Sequence, residues 1–109
     1  MVGELSKITQ IRKHIARDFA VDRAERDFLV HYLQVNLREL RKGLDDYINA
    51  ERWDQIGWSA DFLKSVGTNL QIDDLRQLGV VLAHCAEARD ETSLSRTVAR
   101  FDALLAELS

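Results

Sequence analysis

The sequence predicts an all-α domain: an antiparallel up-down-up-down four-helix bundle with an additional N-terminal helix packed on it. Three observations lead there. The chain has no proline and only five glycines in 109 residues, too few turn residues for a many-stranded sandwich or barrel. Apolar residues make up 46% and charged residues 30%, the balance of a folded soluble domain rather than a disordered chain. The apolar residues recur at three- and four-residue steps and rarely alternate as a strand requires. A length of 109 residues fits one domain, 1–109.

The N-terminal helix is expected over about 4 to 18, on Leu5, Ile8, Ile11, Ile15 and Phe19. The bundle is expected over about 23 to 108. Its longest helix runs from about 23 to 49, where Asp22 followed by Glu25 has the form of a capping box. That helix carries two stripes, Phe28, Tyr32 and Val35 on one and Leu29, Leu33, Leu37, Leu40, Leu44 and Ile48 on the other. Two adjacent stripes make a wide apolar face, which implies contact with several neighbours.

The next helix is expected over about 53 to 70, with Trp53, Ile56, Ala60, Leu63, Gly67 and Leu70 inward. Another follows from about 73 to 89 on Leu75, Leu78 and Leu82. The last starts near Thr92, a good N-cap residue, and turns Leu94, Val98, Phe101, Leu105 and Leu108 inward. The joints at 49–51, 71–72 and 90–91 are short, and short joints make neighbouring helices antiparallel.

Several function classes fall away on composition. A net charge of −3 argues against nucleic acid as a partner, since such binders show a basic stripe. The basic run Arg12, Lys13, Arg17, Arg23 and Arg26 is interrupted by acidic residues and reads as a solvated face. One cysteine, Cys85, can form neither an internal disulfide nor a thiolate metal cage. It reads as a small apolar residue of a chain kept in the reducing cytoplasm. No apolar run approaches the roughly 18 residues that suggest a membrane span. The start, Met1-Val2-Gly3-Glu4, shows neither a signal peptide nor a myristoylation site.

His14, His31 and His84 have no ligand spacing to one another, so no metal site is expected. His84 reads as a helix-surface histidine, and the acidic pairs Asp45-Asp46 and Asp73-Asp74 as solvated helix residues. No glycine-rich phosphate loop and no nucleophile–histidine–carboxylate set is present, so neither an enzyme nor a cofactor is expected.

One segment points to a function. Residues 53 to 75 read Trp-Asp-Gln-Ile-Gly-Trp-Ser-Ala-Asp-Phe-Leu-Lys-Ser-Val-Gly-Thr-Asn-Leu-Gln-Ile-Asp-Asp-Leu. This resembles the signature of histidine-containing phosphotransfer (HPt) domains, which carry Ala-His-x-Leu-Lys-Gly, a small-residue run, and a leucine on the next helix. Trp53 and Ile56 match the early apolar positions, Ala60 the alanine, Leu63 and Lys64 the Leu-Lys pair, and Asn69, Leu70 and Leu75 the end. Ser65 stands at the glycine position. Asp61 stands where the family has its phosphorylated histidine. The resemblance covers about residues 25 to 106 and implies an HPt-like bundle that lacks the phosphorylatable histidine.

In such domains the histidine is an exposed nucleophile, a lysine one turn away neutralises the phosphoryl oxygens, and a small residue admits a receiver domain. Asp61 offers a fixed carboxylate instead. Receiver domains do form acyl phosphates on a carboxylate, but with a bound metal ion and an acidic cluster; here only Asp54 lies within two turns.

At about 100° per residue, Gly57, Asp61, Lys64, Ser65 and Thr68 share one flank of the helix. Trp58, Phe62 and Val66 form a second stripe, away from the core stripe. Either the N-terminal helix or a second copy of the chain covers Trp58 and Phe62, or they form a partner surface, where aromatic anchors supply binding energy. The candidate partner-binding set is Gly57, Trp58, Asp61, Phe62, Lys64, Ser65 and Thr68. The resemblance implies a partner among response-regulator receiver domains and histidine kinases. The alternatives are active phosphotransfer through another residue and a self-associating structural bundle, with a homodimer on the Trp58/Phe62 stripe.

Overall fold

The three- and four-residue apolar spacing is met by helices. The computed structural model describes residues 23–108, which form α1 (Arg23–Asn49), α2 (Trp53–Asn69), α3 (Asp73–Ala88) and α4 (Glu91–Leu108). Among the described residues there is no strand. The expected N-terminal helix over 4 to 18, the Asp22 half of the capping box and His14 lie outside the described residues.

All three joints use one device. Glu51, Gln71 and Arg89 take the left-handed backbone conformation, with φ of 55°, 53° and 51°. At each, the amide of the left-handed residue donates to the carbonyl three residues back, and the next amide donates to the carbonyl five back. The pairs are Glu51 to Ile48 (3.1 Å) with Arg52 to Tyr47 (2.8 Å), Gln71 to Thr68 (3.2 Å) with Ile72 to Gly67 (2.8 Å), and Arg89 to Ala86 (3.3 Å) with Asp90 to Cys85 (3.0 Å). This is the Schellman pattern, which satisfies the orphan carbonyls of a helix end and reverses the chain at once. The next helix then begins within one or two residues.

The start of α4 corrects one expectation. Asp90, not Thr92, is its N-cap: the Ser93 amide donates to Asp90 Oδ1 at 3.1 Å and the Ser93 hydroxyl to Oδ2 at 2.7 Å. A carboxylate at this place answers a free amide of the first turn and faces the positive end of the helix. Hydrogen bonds from the Ser93 hydroxyl, and then from its backbone N–H, hold the Asp90 carboxyl below its ordinary range.

One core joins all four helices. It is built from Val30, Leu33, Leu37 and Leu44 of α1, Ile56, Ala60 and Leu63 of α2, Leu75, Leu78 and Leu82 of α3, and Leu94, Phe101, Leu104 and Leu108 of α4. The expected inward residues Val98 and Leu105 pack on this core from its edge, while Thr97 and Leu104 are the buried ones. Thr97 tolerates burial because its hydroxyl donates to the Ser93 carbonyl at 2.8 Å and lies 3.6 Å from Cys85 Sγ. Cys85 itself is buried.

Among the described residues each helix touches two others: α1 packs on α2 and α4, and α3 on α2 and α4. The closest pair is α2 and α3. A Cβ on Gly79 would stand 2.6 Å from the Lys64 nitrogen and 2.7 Å from the Ala60 carbonyl oxygen, and one on Gly67 would collide with the Arg76 backbone. Glycine at both places lets the two backbones touch. Gly67 meets Arg76 while Gly79 meets Ala60 and Lys64, so this pair runs antiparallel.

The α1–α4 pair does likewise. The Gln34 side-chain amide donates to the Leu108 carbonyl, and Arg41 grips Asp102 through Nε (2.8 Å) and Nη2 (3.2 Å). The Asp102 hydrogen bond raises the Arg41 guanidinium above its ordinary range against partial burial, with help from Asp45 at 2.7 Å.

The outer stripe of α1 departs from expectation. Phe28, Tyr32 and Val35 are exposed, as is Leu29 of the second stripe. The core-facing arc of α1 runs through Val30 instead, because α2 and α4 approach α1 from the side that Val30, Leu33, Leu37 and Leu44 occupy.

Candidate functional site

The inward face of α2 determines what its outward face can display. Ile56, Ala60 and Leu63 are fully buried, and Gly67 is seated on α3. Ser59 is buried too, and its hydroxyl donates to the Gln55 carbonyl at 3.1 Å. With that arc committed to the core, Asp61 points outward with a side chain 67% exposed.

Lys64 Nζ stands 3.2 Å from Asp61 Oδ1, an i,i+3 ion pair. At such exposure the pair contributes only a few tenths of a kcal/mol. Its geometry is nevertheless prepared from below: a Cβ on Gly79 would meet Lys64 Cγ at 2.7 Å. The bare backbone at Gly79 is therefore the floor on which the lysine stem lies.

The two aromatic candidates go to opposite sides of α2. Trp58, 66% exposed, joins Trp53, Asp61 and Lys64 in lining a cleft of about 400 Å³ between α2 and α3, whose far wall includes Ala83 and Glu87. Gly57 lines the same cleft, and a Cβ there would meet nothing within 4 Å. Phe62, 42% exposed, lines a groove of about 330 Å³ between α1 and α2 with Val66, Leu70, Leu29, Tyr32 and Leu33. Ser65 and Thr68 are exposed and line neither space. The structure thus brings together Gly57, Trp58, Asp61 and Lys64, and leaves Phe62 facing a different neighbour.

Sequence reasoning missed the α3 side of this cleft. The signal was present: Gly79, Ala83 and Ala86 recur at four- and three-residue steps, a small-residue track that lets α2 come close and leaves the space beside Asp61 open.

The remaining chemistry-bearing residues stay apart. His31 and His84 are exposed on α1 and α3. Asp45 pairs with Arg41, and Asp73 accepts from Arg76 Nη2 and from the Gln77 amide, both at 2.7 Å. Among the described residues no group of three His, Cys, Asp or Glu side chains converges to hold a metal ion. Among the same residues no helix is long and apolar enough to cross a membrane.

What the site can do chemically is present a fixed negative charge with a cation beside it, on a rigid helix, next to an exposed indole. Set against known proteins, the chain matches no family model, no curated protein and no solved structure.

Proposed function

We propose that the chain is an HPt-like signalling module of two-component or phosphorelay type that lacks the phosphorylatable histidine and acts by docking. Its partner is a receiver domain or a histidine kinase, met in the cytoplasm. In this reading the four helices form an up-down-up-down bundle, and the segment over 4 to 18 adds the N-terminal helix packed on it.

The observation that carries the proposal is the outward presentation of Asp61 beside Lys64 at 3.2 Å, in the register that the resemblance assigns to a phosphohistidine and its lysine. A carboxylate there holds permanently the negative charge that a phosphoryl group would bring and remove. Such a module occupies a receiver and blocks true relay, or biases a kinase, without itself taking phosphate. Trp58 supplies the apolar anchor on the α2–α3 side and Phe62 on the other, with Gly57, Ser65 and Thr68 leaving the approach low. The module is read as a binding protein, not an enzyme.

Titration against a panel of purified receiver and kinase domains encoded in the same genome tests this. At least one is expected to bind, with affinity falling about tenfold or more in Trp58→Ala. Incubation with a phosphorylated receiver is expected to leave the wild-type chain without acid-labile phosphate, and Asp61→His to acquire some. No binding across the panel, or unchanged affinity in both Trp58→Ala and Phe62→Ala, removes the docking site. Acid-labile phosphate on a wild-type histidine replaces it with active relay.

A further inference from the structure

The apolar face where α1 meets α2 has no part in presenting Asp61. Phe28 and Tyr32 stack there with ring centroids 6.1 Å apart, although they are 65% and 60% exposed. With Val35 they make a ridge at four- and three-residue steps along α1. Next to that ridge, on the same face, lies the groove floored by Leu33, Val66 and Leu70. We propose that this face binds a second copy of the chain, the ridge of each copy seated in the groove of the other about a two-fold axis.

Three features select a second copy over other occupants. The first is shape. A two-fold interface uses one patch twice, so the patch must complement itself, and ridge into groove is how helices pack. Here the ridge and the groove are side by side on one surface.

The second is charge. No residue lining the groove is charged, and its polar members are Asn36 and Asn69. A basic or an acidic partner finds no counter-charge there. Two chains of net charge −3 meet without opposing like charges at the centre. Carboxamides both donate and accept, so Asn69 can pair across to its counterpart, and Asn36, whose amide donates to the Tyr32 carbonyl at 2.8 Å, still offers its own oxygen as an acceptor.

The third is area. At 150–250 Å² for a whole aromatic side chain, the exposed parts of Phe28, Leu29, Tyr32, Val35 and Phe62 amount to roughly 450 Å² per copy. A standard interface takes about 800 Å² from each partner, a little over half of it apolar. The patch supplies that apolar share. The cleft that holds Trp58, Asp61 and Lys64 lies toward α3 and is not needed for the dimer.

Sedimentation equilibrium of the full chain tests the proposal, with Tyr32→Asp, Phe62→Asp and Trp58→Ala run alongside and helicity checked by circular dichroism. The wild type is expected to be a dimer, weakened about tenfold or more by either aspartate and unchanged by Trp58→Ala. Should Phe62→Asp lose helicity, Tyr32→Asp and Phe28→Ser decide the matter, since both positions are more than half exposed.

A wild type that stays monomeric through the micromolar range overturns the proposal, whether the groove is then open, filled by the chain's own residues 4–18, or reserved for a foreign helix. A dimer that keeps its strength in the aspartate variants, or that Trp58→Ala weakens as much, overturns it as well. A dimer broken by Tyr32→Asp and untouched by Trp58→Ala stands even if no receiver or kinase binds, because Tyr32 belongs to the dimer face alone and Trp58 to the docking site alone.

Discussion

The two sides of α2 are packed by opposite means. Toward α3, glycine brings backbone against backbone at Gly67 and Gly79. Toward α1, side chains hold the helices apart and leave a groove bordered by Phe62 and Tyr32. The close side sets register and direction, and so decides where Asp61 and Lys64 point. The open side leaves apolar surface free. One helix therefore carries two features that would conflict on a single face: a rigidly held charge, and exposed apolar area.

Adjacent residues offer the largest test of this contrast. Leu63 is fully buried and Phe62 is not. Leu63→Ala is expected to cost about 2–5 kcal/mol in chemical denaturation, and Phe62→Ala about 1 kcal/mol or less. Similar costs for both at concentrations where the chain is monomeric would mean that Phe62 is covered within the folded monomer.

Two glycines give the next. A side chain at Gly79 must push α3 off α2, so Gly79→Val is expected to destabilise by about 1–3 kcal/mol. It should also move the Asp61 and Lys64 resonances in an NMR spectrum. Gly57 has open space around it, so Gly57→Ala is expected to stabilise by about 0.5–1 kcal/mol through helix propensity alone. A loss of stability at Gly57 would show that the cleft beside Asp61 is narrower than described.

The joint on the close side sharpens the comparison further. Gln71 holds a φ of 53° at a place where a side chain is disfavoured. Gln71→Gly is expected to raise the melting temperature by an amount equivalent to at most about 1 kcal/mol, the relief being offset in part by glycine's greater freedom when unfolded.

The smallest expected effect is in pH. Asp90 titrates lower in the folded chain than in the unfolded one, because Ser93 bonds its charged form. Its contribution is therefore whole above the unfolded carboxylate value, about 3.9, and is lost as the pH falls through the lower folded value. Acid unfolding followed at low pH should be less steep in Asp90→Asn, with no difference between the proteins at neutral pH beyond a constant offset.

The existence and order of the helices over 23–108 were legible because period and burial agree along Leu33, Leu37 and Leu44, along Ile56, Ala60 and Leu63, and along Leu75, Leu78 and Leu82. Helix ends were legible to within a residue at Asn69, Ala88 and Glu91. The bounds at Asn49, Trp53 and Asp73 fall where expected, while the helices before Gln71 and Arg89 end one residue early, since those turns have no glycine to mark them. On α4, the steps 94, 97 or 98, 101, 104 or 105, 108 are all helical, and only the neighbours decide between Thr97 and Val98. Hydrogen bonding conceals the polarity that would have argued against Thr97. The outward placement of Asp61 followed from the spacing of Ala60 and Leu63. The parting of Trp58 from Phe62 did not, because a helical wheel gives angles around one axis and says nothing of where the neighbouring axes lie.

The joints have a mechanical consequence. The connections between α1 and α2, α2 and α3, and α3 and α4 are three, three and two residues long, and their amides are already engaged. There is no slack in them. A slide of α2 along α3 by one turn, about 5.4 Å, would have to pull Gly67 and Gly79 out of their seats and undo a joint as well. The helices are therefore poorly placed to act as pistons, and Asp61 stands on α2 as on a fixed post.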